Sequence, residues 1–321
     1  MSDKVRKLKP SKIAIIGAGQ VGATIAYNMA ITNRAAELVL VDVAVDKAEG
    51  EVLDTATALP VMKEMSFTHG GYEEVAGADI IVMSAGAGRK PGETRLDLAA
   101  KNVRIAKSVT DEMIKHYDGG IIIVVANPCD VIAQKMQEWT GIPREKVISS
   151  GTLLDSMRLR YHVAQHLGVD STDVHAYMFG EHGETQFPLW SKSTFGGIPL
   201  DQAAEALGVE WTDEIREEIW VKTRTGGAEI IKRKGATFYG IGVSVDQLAE
   251  RIFNNTNSLA PVGILLQGEY GIDGVVLSTP SILGSDGVSK IVELDLTDEE
   301  LALFQASAEN LKKTLDIVKD I

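Results

Sequence analysis

The sequence of 321 residues has a single cysteine, Cys129, and few aromatic residues, which make up 6% of the chain. One cysteine cannot form a disulfide within the chain, so a disulfide framework is excluded and a reducing compartment is expected. Cys129 directly follows Asn127-Pro128. We interpret it as a small packing residue rather than a nucleophile.

The chain is also short of positive charge. Lysine and arginine number 32 against 45 aspartate and glutamate residues, which gives a formal net charge of −13. Nucleic acids and anionic membranes would be repelled, so we expect neither as a general partner, although a local basic site is not excluded.

Long hydrophobic runs are missing as well. Residues Ile13 to Ile16 form an apolar run that is far too short to span a bilayer. The N-terminal residues 1–10 are basic, but no apolar stretch with a cleavage site follows them. No His/Cys cluster has metal-ligand spacing. We therefore expect a cytoplasmic protein with no membrane span and no bound metal.

The chain is long enough for two domains, and its two halves have different patterns. Short β-branched runs alternate with amphipathic stretches in the first half; the runs are Lys12–Ile16, Glu37–Val41, Asp79–Met83 and Ile121–Val125. This alternation predicts an α/β fold with a Rossmann-type, doubly wound parallel sheet over residues 1–150. Residues 151–321 are predicted to form an α+β substrate domain.

The C-terminal half contains its own helix and strand patterns. Thr212–Lys232 and Val243–Phe253 are predicted helices, and Val275–Leu283 is a predicted antiparallel strand. Thr297 and Glu300 form a capping box before a last helix with one apolar face.

A glycine motif directly follows the first predicted strand. Gly17-Ala-Gly19-Gln20-Val21-Gly22 fits G-x-G-x-x-G and opens a predicted helix. The first glycine would permit the tight turn, the second the approach of the pyrophosphate, and the third close packing of helix and strand. The helix N-terminus offers N–H groups to phosphates. A structural turn is the alternative, since the motif alone is common.

Asp42 supports the dinucleotide interpretation. It ends the second predicted strand, 42 − 22 = 20 residues after the last glycine. A carboxylate at this position can accept hydrogen bonds from ribose hydroxyls and would repel the extra phosphate of NADP. The sequence therefore predicts NAD as the cofactor.

Four further segments carry distinctive motifs: Ala85–Leu98, Asn127-Pro128, Ser150–Arg158 and Gly180-Glu181-His182-Gly183. Their order and spacing resemble the lactate/malate dehydrogenase family. The resemblance extends from about Ser11 to the C-terminus. It implies a hydride transfer between NAD and a small L-2-hydroxy or 2-oxo acid, in a homodimer or homotetramer.

The resemblance also assigns roles to individual residues. His182 would carry the proton, which suits a group that titrates near neutrality, and Asp155 would orient it. Arg158 would grip the substrate carboxylate by a guanidinium fork, and Arg95 would polarise the reacting carbonyl. Asn127 would contact substrate or nicotinamide, and Ser150 the carboxamide.

Simpler alternatives exist for two of these residues. Asp155 and Arg158, three residues apart, could form only a surface ion pair on a helix. Arg95 could be a solvated surface residue. A family member kept as a binding protein without turnover is a different class of function. The presence of all four residues, His182, Asp155, Arg158 and Arg95, argues against that class, and an absorbance assay for NADH would separate the two.

The choice of 2-hydroxy acid is where the sequence gives conflicting indications. Glu93, Glu181 and Thr237, a candidate pocket residue, resemble lactate enzymes. Arg89, before Lys-Pro-Gly, resembles malate enzymes instead. A methyl group would leave its guanidinium without a partner, whereas a second carboxylate would pair with it. We therefore expect malate and oxaloacetate as substrates, with L-lactate and pyruvate as the alternative.

Overall fold

The computed structural model describes residues 11–62, 64–88 and 95–321, except for the side chain of Arg95. The strands in these ranges are β1 Lys12–Ile16, β2 Glu37–Val41, β3 Ser66–Gly70, β4 Ile80–Met83, β5 Ile121–Val124, β6 Val147–Ser149, β7 Val174–His175, β8 Met178–Phe179, β9 Phe187–Pro188, β10 Thr194–Phe195, β11 Ile198–Pro199, β12 Ser258–Gln267, β13 Asp273–Gly284 and β14 Gly287–Ile291. The α-helices are α1 Gln20–Ile31, α2 Val45–Ala56, α3 Arg95–Met113, α4 Cys129–Thr140, α5 Leu153–Leu167, α6 Leu200–Leu207, α7 Asp213–Lys234, α8 Tyr239–Phe253 and α9 Asp298–Ile317.

One large sheet organises the described part of the chain. Its nine strands follow the order β14-β13-β12-β6-β5-β4-β1-β2-β3. The six strands from β6 to β3 are parallel, and the order 3-2-1-4-5-6 is that of a dinucleotide-binding sheet. The predicted Rossmann-type doubly wound sheet is confirmed.

The parallel strands form because their side chains are buried on both faces. Every residue of β1, β4 and β5 is buried. Isoleucine and valine suit this environment, since their branched side chains pack well on a pleated surface. The sequence pattern did not predict β3 or β6. β3 has only one buried side chain, and β6 has only three residues.

The sheet continues beyond residue 150 into the C-terminal half. β12 pairs antiparallel with β6 through Gly263 and Ser149, and β13 and β14 follow as antiparallel neighbours. Two small sheets, β11-β10-β7 and β8-β9, also lie in this half. The division at residue 150, directly after β6, stays a prediction.

The last helix, α9, begins as the sequence pattern predicts. The Thr297 hydroxyl accepts from the Glu300 backbone N–H, and the Glu300 carboxylate accepts from the Thr297 N–H. Such a box satisfies two N–H groups that the first turn leaves free. Phe304, Ala308 and Leu311 face the core. Among the described residues, no helix has the length and apolarity needed to cross a membrane.

Candidate functional site

The carboxyl ends of four neighbouring strands lie at one edge of the sheet. The registers align Ile16 with Met83, Met83 with Val124, and Val124 with Ser149. The segments that follow these strands therefore start side by side. They contain the predicted cofactor residues Gly17 to Gly22, Asn127 and Ser150. Ligands of such sheets bind at this edge, where the strand order reverses.

Residues 17–22, the glycine turn, show a separate physical reason for each glycine. Gly17 has a positive φ of 110°, and a Cβ there would lie 2.7 Å from the backbone nitrogen of Ala85. A Cβ on Gly22 would overlap the carbonyl oxygen of Gly17. Around Gly19, by contrast, no described atom lies within 4 Å of the Cβ position. The turn is thus packed at two glycines and open at the middle one.

The open side of Gly19 leads directly into α1. Gln20 and Val21 form the first turn of that helix, and no described side chain caps it. The first N–H groups of a helix have no partner within the helix and carry a partial positive charge. The turn can therefore hold a pyrophosphate, which fits the dinucleotide that the sequence predicts.

Asp42 connects the end of β2 to the glycine turn. One carboxylate oxygen accepts from the Ala18 backbone N–H at 2.6 Å, and the other accepts from the Ala44 N–H at 2.8 Å. The side chain remains partly exposed. Each carboxylate oxygen has a second lone pair, so Asp42 can still accept from a ribose hydroxyl.

The imidazole of His182 is held by Asp155 from α5. His182 Nδ1 lies 2.6 Å from Asp155 Oδ2, and Arg158 Nη1 donates to Asp155 Oδ1 at 2.9 Å. Asp155 is 1% exposed, whereas the His182 side chain is 23% exposed. The buried carboxylate thus bridges the two side chains, and a surface ion pair between Asp155 and Arg158 is excluded.

The charges around His182 favour its protonated form. Burial alone would lower the pKa of His182, but the carboxylates of Asp155 and then Asp130 outweigh it and raise the pKa. Burial likewise opposes ionisation of Asp155, and the contacts with His182 and Arg158 keep the pKa of Asp155 below its usual value. The imidazolium and the carboxylate stabilise each other.

Asp130, in the first turn of α4, is a site residue that the sequence analysis missed. Its Oδ2 accepts from the backbone N–H of His182 at 2.6 Å, and its Oδ1 accepts from the Ser149 hydroxyl. Burial raises the pKa of Asp130, although these two donors partly offset the effect. An acid between buried Cys129 and Val131 could have indicated a bonded carboxylate, because buried charges need partners.

The remaining predicted residues occupy less defined surroundings. Asn127 is exposed, and its carbonyl accepts from the Asn102 side chain at 2.7 Å. Ser150 is buried after β6, and its N–H donates to Val124. Thr237 lies half-buried between α7 and α8. No described hydrogen bond joins Asn127, Ser150 or Thr237 to His182.

Two predicted residues cannot be placed. Arg89 lies outside the described residues, and so does the side chain of Arg95, whose backbone begins α3. Their proposed contacts therefore stay predictions. Among the described residues, no group of three or more His, Cys, Asp or Glu side chains is arranged to hold a metal ion.

Two adjacent glycines of helix α7, Gly226 and Gly227, lie beside the Arg158 side chain. A Cβ on Gly226 would lie 3.5 Å from Arg158 Cδ, and a Cβ on Gly227 would lie 3.7 Å from Arg158 Nη2. Both distances are ordinary van der Waals contacts, so a Cβ would fit at either position without displacing Arg158. The guanidinium of Arg158 thus lies against this part of α7, and the closeness of the contact does not by itself explain the two glycines.

Known proteins of one family match nearly the whole chain. Residues 11–149 match the family model for the NAD binding domain of lactate/malate dehydrogenase, and residues 152–321 match the model for its alpha/beta C-terminal domain. An L-lactate dehydrogenase of Priestia megaterium is 41% identical over 308 residues, which cover 96% of each chain. One of Thermoanaerobacter pseudethanolicus is 40% identical over 305 residues, 95% of this chain and 98% of the relative.

Among solved structures, a lactate dehydrogenase also resembles this chain over nearly its whole length. The ligand-bound minor L-lactate dehydrogenase of Enterococcus mundtii superposes with a TM-score of 0.92 at 38% identity. The match covers 96% of this chain and 98% of that one. At this identity the likeness extends beyond the fold.

Proposed function

The chain belongs to the lactate/malate dehydrogenase family, and we propose that it interconverts pyruvate and L-lactate. The coarser activity, an NAD-dependent dehydrogenase of small 2-hydroxy acids, follows from the family. The observation that carries the dehydrogenase chemistry is the contact of His182 with buried Asp155, beside Arg158, whereas the choice of pyruvate depends on the relatives. The contact joins a proton donor to a carboxylate-binding cation.

His182 is the proposed proton carrier. In the reducing direction the protonated imidazole gives its proton to the oxygen of the 2-oxo group, and in the oxidising direction the neutral ring takes the hydroxyl proton. Asp155 stabilises the charged ring and fixes its orientation through Nδ1. This leaves Nε2 as the nitrogen that faces the substrate.

Arg158 is proposed to bind the substrate carboxylate. Its Nη1 is already oriented by Asp155, so less side-chain freedom is lost when the substrate binds. A guanidinium can donate two parallel hydrogen bonds to a carboxylate. Arg95 is proposed to stabilise the negative charge that develops on the carbonyl oxygen.

When bound, the nicotinamide would accept the hydride from C2 of the hydroxy acid in oxidation and, as NADH, would donate a hydride to C2 of the 2-oxo acid in reduction, and the protein positions it. In the proposal, the glycine turn and the N-terminus of α1 bind the pyrophosphate, and Asp42 accepts from the ribose. Asn127 and Ser150 hold the nicotinamide end. Both follow strands that end at the edge where the glycine turn begins.

The preference for pyruvate replaces the expectation from sequence alone. That expectation favoured oxaloacetate because of Arg89, whereas relatives at 38–41% identity are named L-lactate dehydrogenase. Similarity over at least 95% of the chain has more weight than one residue. Malate and oxaloacetate remain the second candidate pair, favoured by Arg89.

A comparison of kcat/KM for pyruvate and oxaloacetate with NADH tests the choice. We expect pyruvate to be the better substrate of the unmodified protein. A higher value for oxaloacetate would make the second candidate pair correct. Arg89→Gln then identifies the cause, since loss of a paired charge should lower only the activity on oxaloacetate.

We also propose a homodimer or homotetramer in the cytoplasm. Large apolar side chains are exposed on α2, α5 and α8, among them Leu53, Tyr161 and Tyr239. Burial of such groups stabilises association. Light scattering coupled to size-exclusion chromatography measures the oligomeric state, and a monomeric mass at micromolar concentration would disprove the assembly.

A further inference from the structure

The residue before His182 is a buried carboxylate held by neutral donors. Glu181 is 7% exposed. Its Oε1 accepts from the amide of Asn310 at 2.7 Å, the hydroxyl of Thr185 at 2.8 Å, and the Thr185 backbone N–H at 3.4 Å. Burial of a carboxylate costs free energy unless its oxygens are hydrogen-bonded. Loss of these hydrogen bonds would therefore leave the Glu181 carboxylate buried without donors, which would destabilise this part of the fold.

Two residues that hydrogen-bond to Glu181 lie on one face of helix α9. Ser307 and Asn310 are three residues apart, and such residues are neighbours on a helix surface. The Ser307 hydroxyl accepts from the Glu181 backbone N–H at 2.9 Å and lies 3.0 Å from the Thr185 hydroxyl. Helix α9 thus contacts residues 180–185, the His182 loop, through both backbone and side chains.

The glycines on either side of Glu181 and His182 make these contacts possible. A Cβ on Gly180, whose φ is 91°, would lie 2.6 Å from the Ser307 hydroxyl oxygen. A Cβ on Gly183 would lie 2.9 Å from Glu181 Oε1. A side chain at Gly180 would push the loop away from α9, and one at Gly183 would displace the Glu181 carboxylate that accepts from Asn310. The two glycines of Gly-Glu-His-Gly therefore serve the contact with α9.

The His182 loop has no regular secondary structure across its central residues, yet its backbone is anchored from several elements. Gly180 exchanges two hydrogen bonds with Ser278 of β13, and the His182 N–H donates to Asp130 of α4. The Glu181 N–H donates to Ser307 of α9. The contact with α9 is thus the anchor nearest to His182 on its N-terminal side.

We propose that Glu181, Ser307 and Asn310 form a clamp that fixes the His182 loop on α9, so that the last helix of the chain positions the proton carrier. These are positioning residues that act through His182. The inference rests on the proposed function and adds a distant structural support to it. In this proposal Glu181 acts by holding the His182 loop in place and does not itself contact the substrate.

Asn310→Asp is the variant that opens the clamp with the least change in shape. It places a second carboxylate at hydrogen-bond distance from Glu181, and like charges at that distance repel. We expect kcat to fall by about 10²-fold, the usual cost of a displacement of roughly 1 Å. The KM for NADH should change little, because the glycine turn belongs to other elements.

Rescue by a second substitution separates positioning from general damage. Glu181→Gln in the Asn310→Asp background removes the charge repulsion and again gives an amide–carboxylate pair. The amide nitrogen that then faces position 310 cannot accept from Thr185 as Oε1 does, so we expect part of the lost turnover to return. Lys312→Ala is the matched control, since Lys312 lies on the same helix in an exposed ion pair with Glu309. Its turnover should equal that of the unmodified protein.

A readout without substrate tests the clamp independently of the reaction. The NMR signal of the His182 ring reports its hydrogen bond to Asp155. It should shift in Asn310→Asp, return in part in the double variant, and stay unchanged in Lys312→Ala. An unshifted signal in Asn310→Asp would overturn the clamp. Absence of 2-oxo acid reduction by the unmodified protein would instead overturn the proposed function.

Discussion

The glycine turn and the His182 site are built in opposite ways. The turn consists of six consecutive residues that connect the end of β1 to the first residues of α1, and each glycine has its effect at its own position. The His182 site combines groups from α4, α5, α9 and an irregular loop. Local sequence therefore decides the first site, whereas the second exists only after distant elements have packed. Substitutions should consequently affect cofactor binding and proton transfer separately.

The largest expected effect is that of removing His182, the proposed proton carrier. His182→Asn should lower turnover by about 10²–10⁴-fold, the usual contribution of a general acid–base group. Steady-state kinetics measures this effect, and fluorescence titration with NADH should give an unchanged Kd. Near-normal turnover would show that another residue carries the proton.

Removal of the buried carboxylate should shift a pH profile in a defined direction. Asp155 raises the pKa of His182, so Asp155→Asn should lower it. Reduction needs the protonated ring, so its activity should be lost at lower pH than in the unmodified protein. At neutral pH the rate should fall by about 10–10²-fold, since each pKa unit changes the protonated fraction up to tenfold.

The oxidising direction provides the control for this prediction. It needs the neutral ring, so the pH range of oxidation should extend downward in Asp155→Asn. Equal displacement of both profiles toward higher pH would contradict the assigned role of Asp155.

Two glycine substitutions should separate packing from ligand access within the turn. Gly22→Ala introduces a Cβ that overlaps the Gly17 carbonyl, and it should lower the free energy of unfolding by about 1–3 kcal/mol. Gly19→Ala meets no described atom, so thermal unfolding should be unchanged while NADH binding weakens. Calorimetry and fluorescence titration measure the two effects. Equal destabilisation in both variants would be inconsistent with an open middle glycine.

The smallest expected effect concerns the choice of cofactor. Asp42→Ser should narrow the preference for NADH over NADPH by about tenfold, because one charged hydrogen-bond acceptor is worth about 1.5 kcal/mol. The ratio of kcat/KM for the two cofactors measures it. Some loss of stability is also expected, since the carboxylate accepts from the Ala18 N–H at 2.6 Å. Equal use of both cofactors by the unmodified protein would refute the prediction.

Sequence periodicity predicted the uniformly buried strands and the last helix, whose apolar residues lie on one face. The strands Lys12–Ile16 and Glu37–Val41 have the predicted bounds, and α9 starts at the predicted capping box. Sequence periodicity did not predict the short strand β6. It also did not predict β12, the strand that joins the C-terminal half to the sheet. Strand pairing across such separations depends on packing that no local pattern records.

By itself, the sequence predicted the glycine turn, the strand-end acid Asp42 and His182 as the proposed proton carrier. These depend on residues that are adjacent or that carry a distinctive local motif. Only the tertiary structure decided that Asp130 binds the backbone of His182 and that Asn310 binds Glu181. Asp130 lies 52 residues from His182, and Asn310 lies 129 from Glu181. Packing in three dimensions brings these groups within hydrogen-bond distance. Their contacts are stabilising because a buried carboxylate costs free energy unless donors satisfy it.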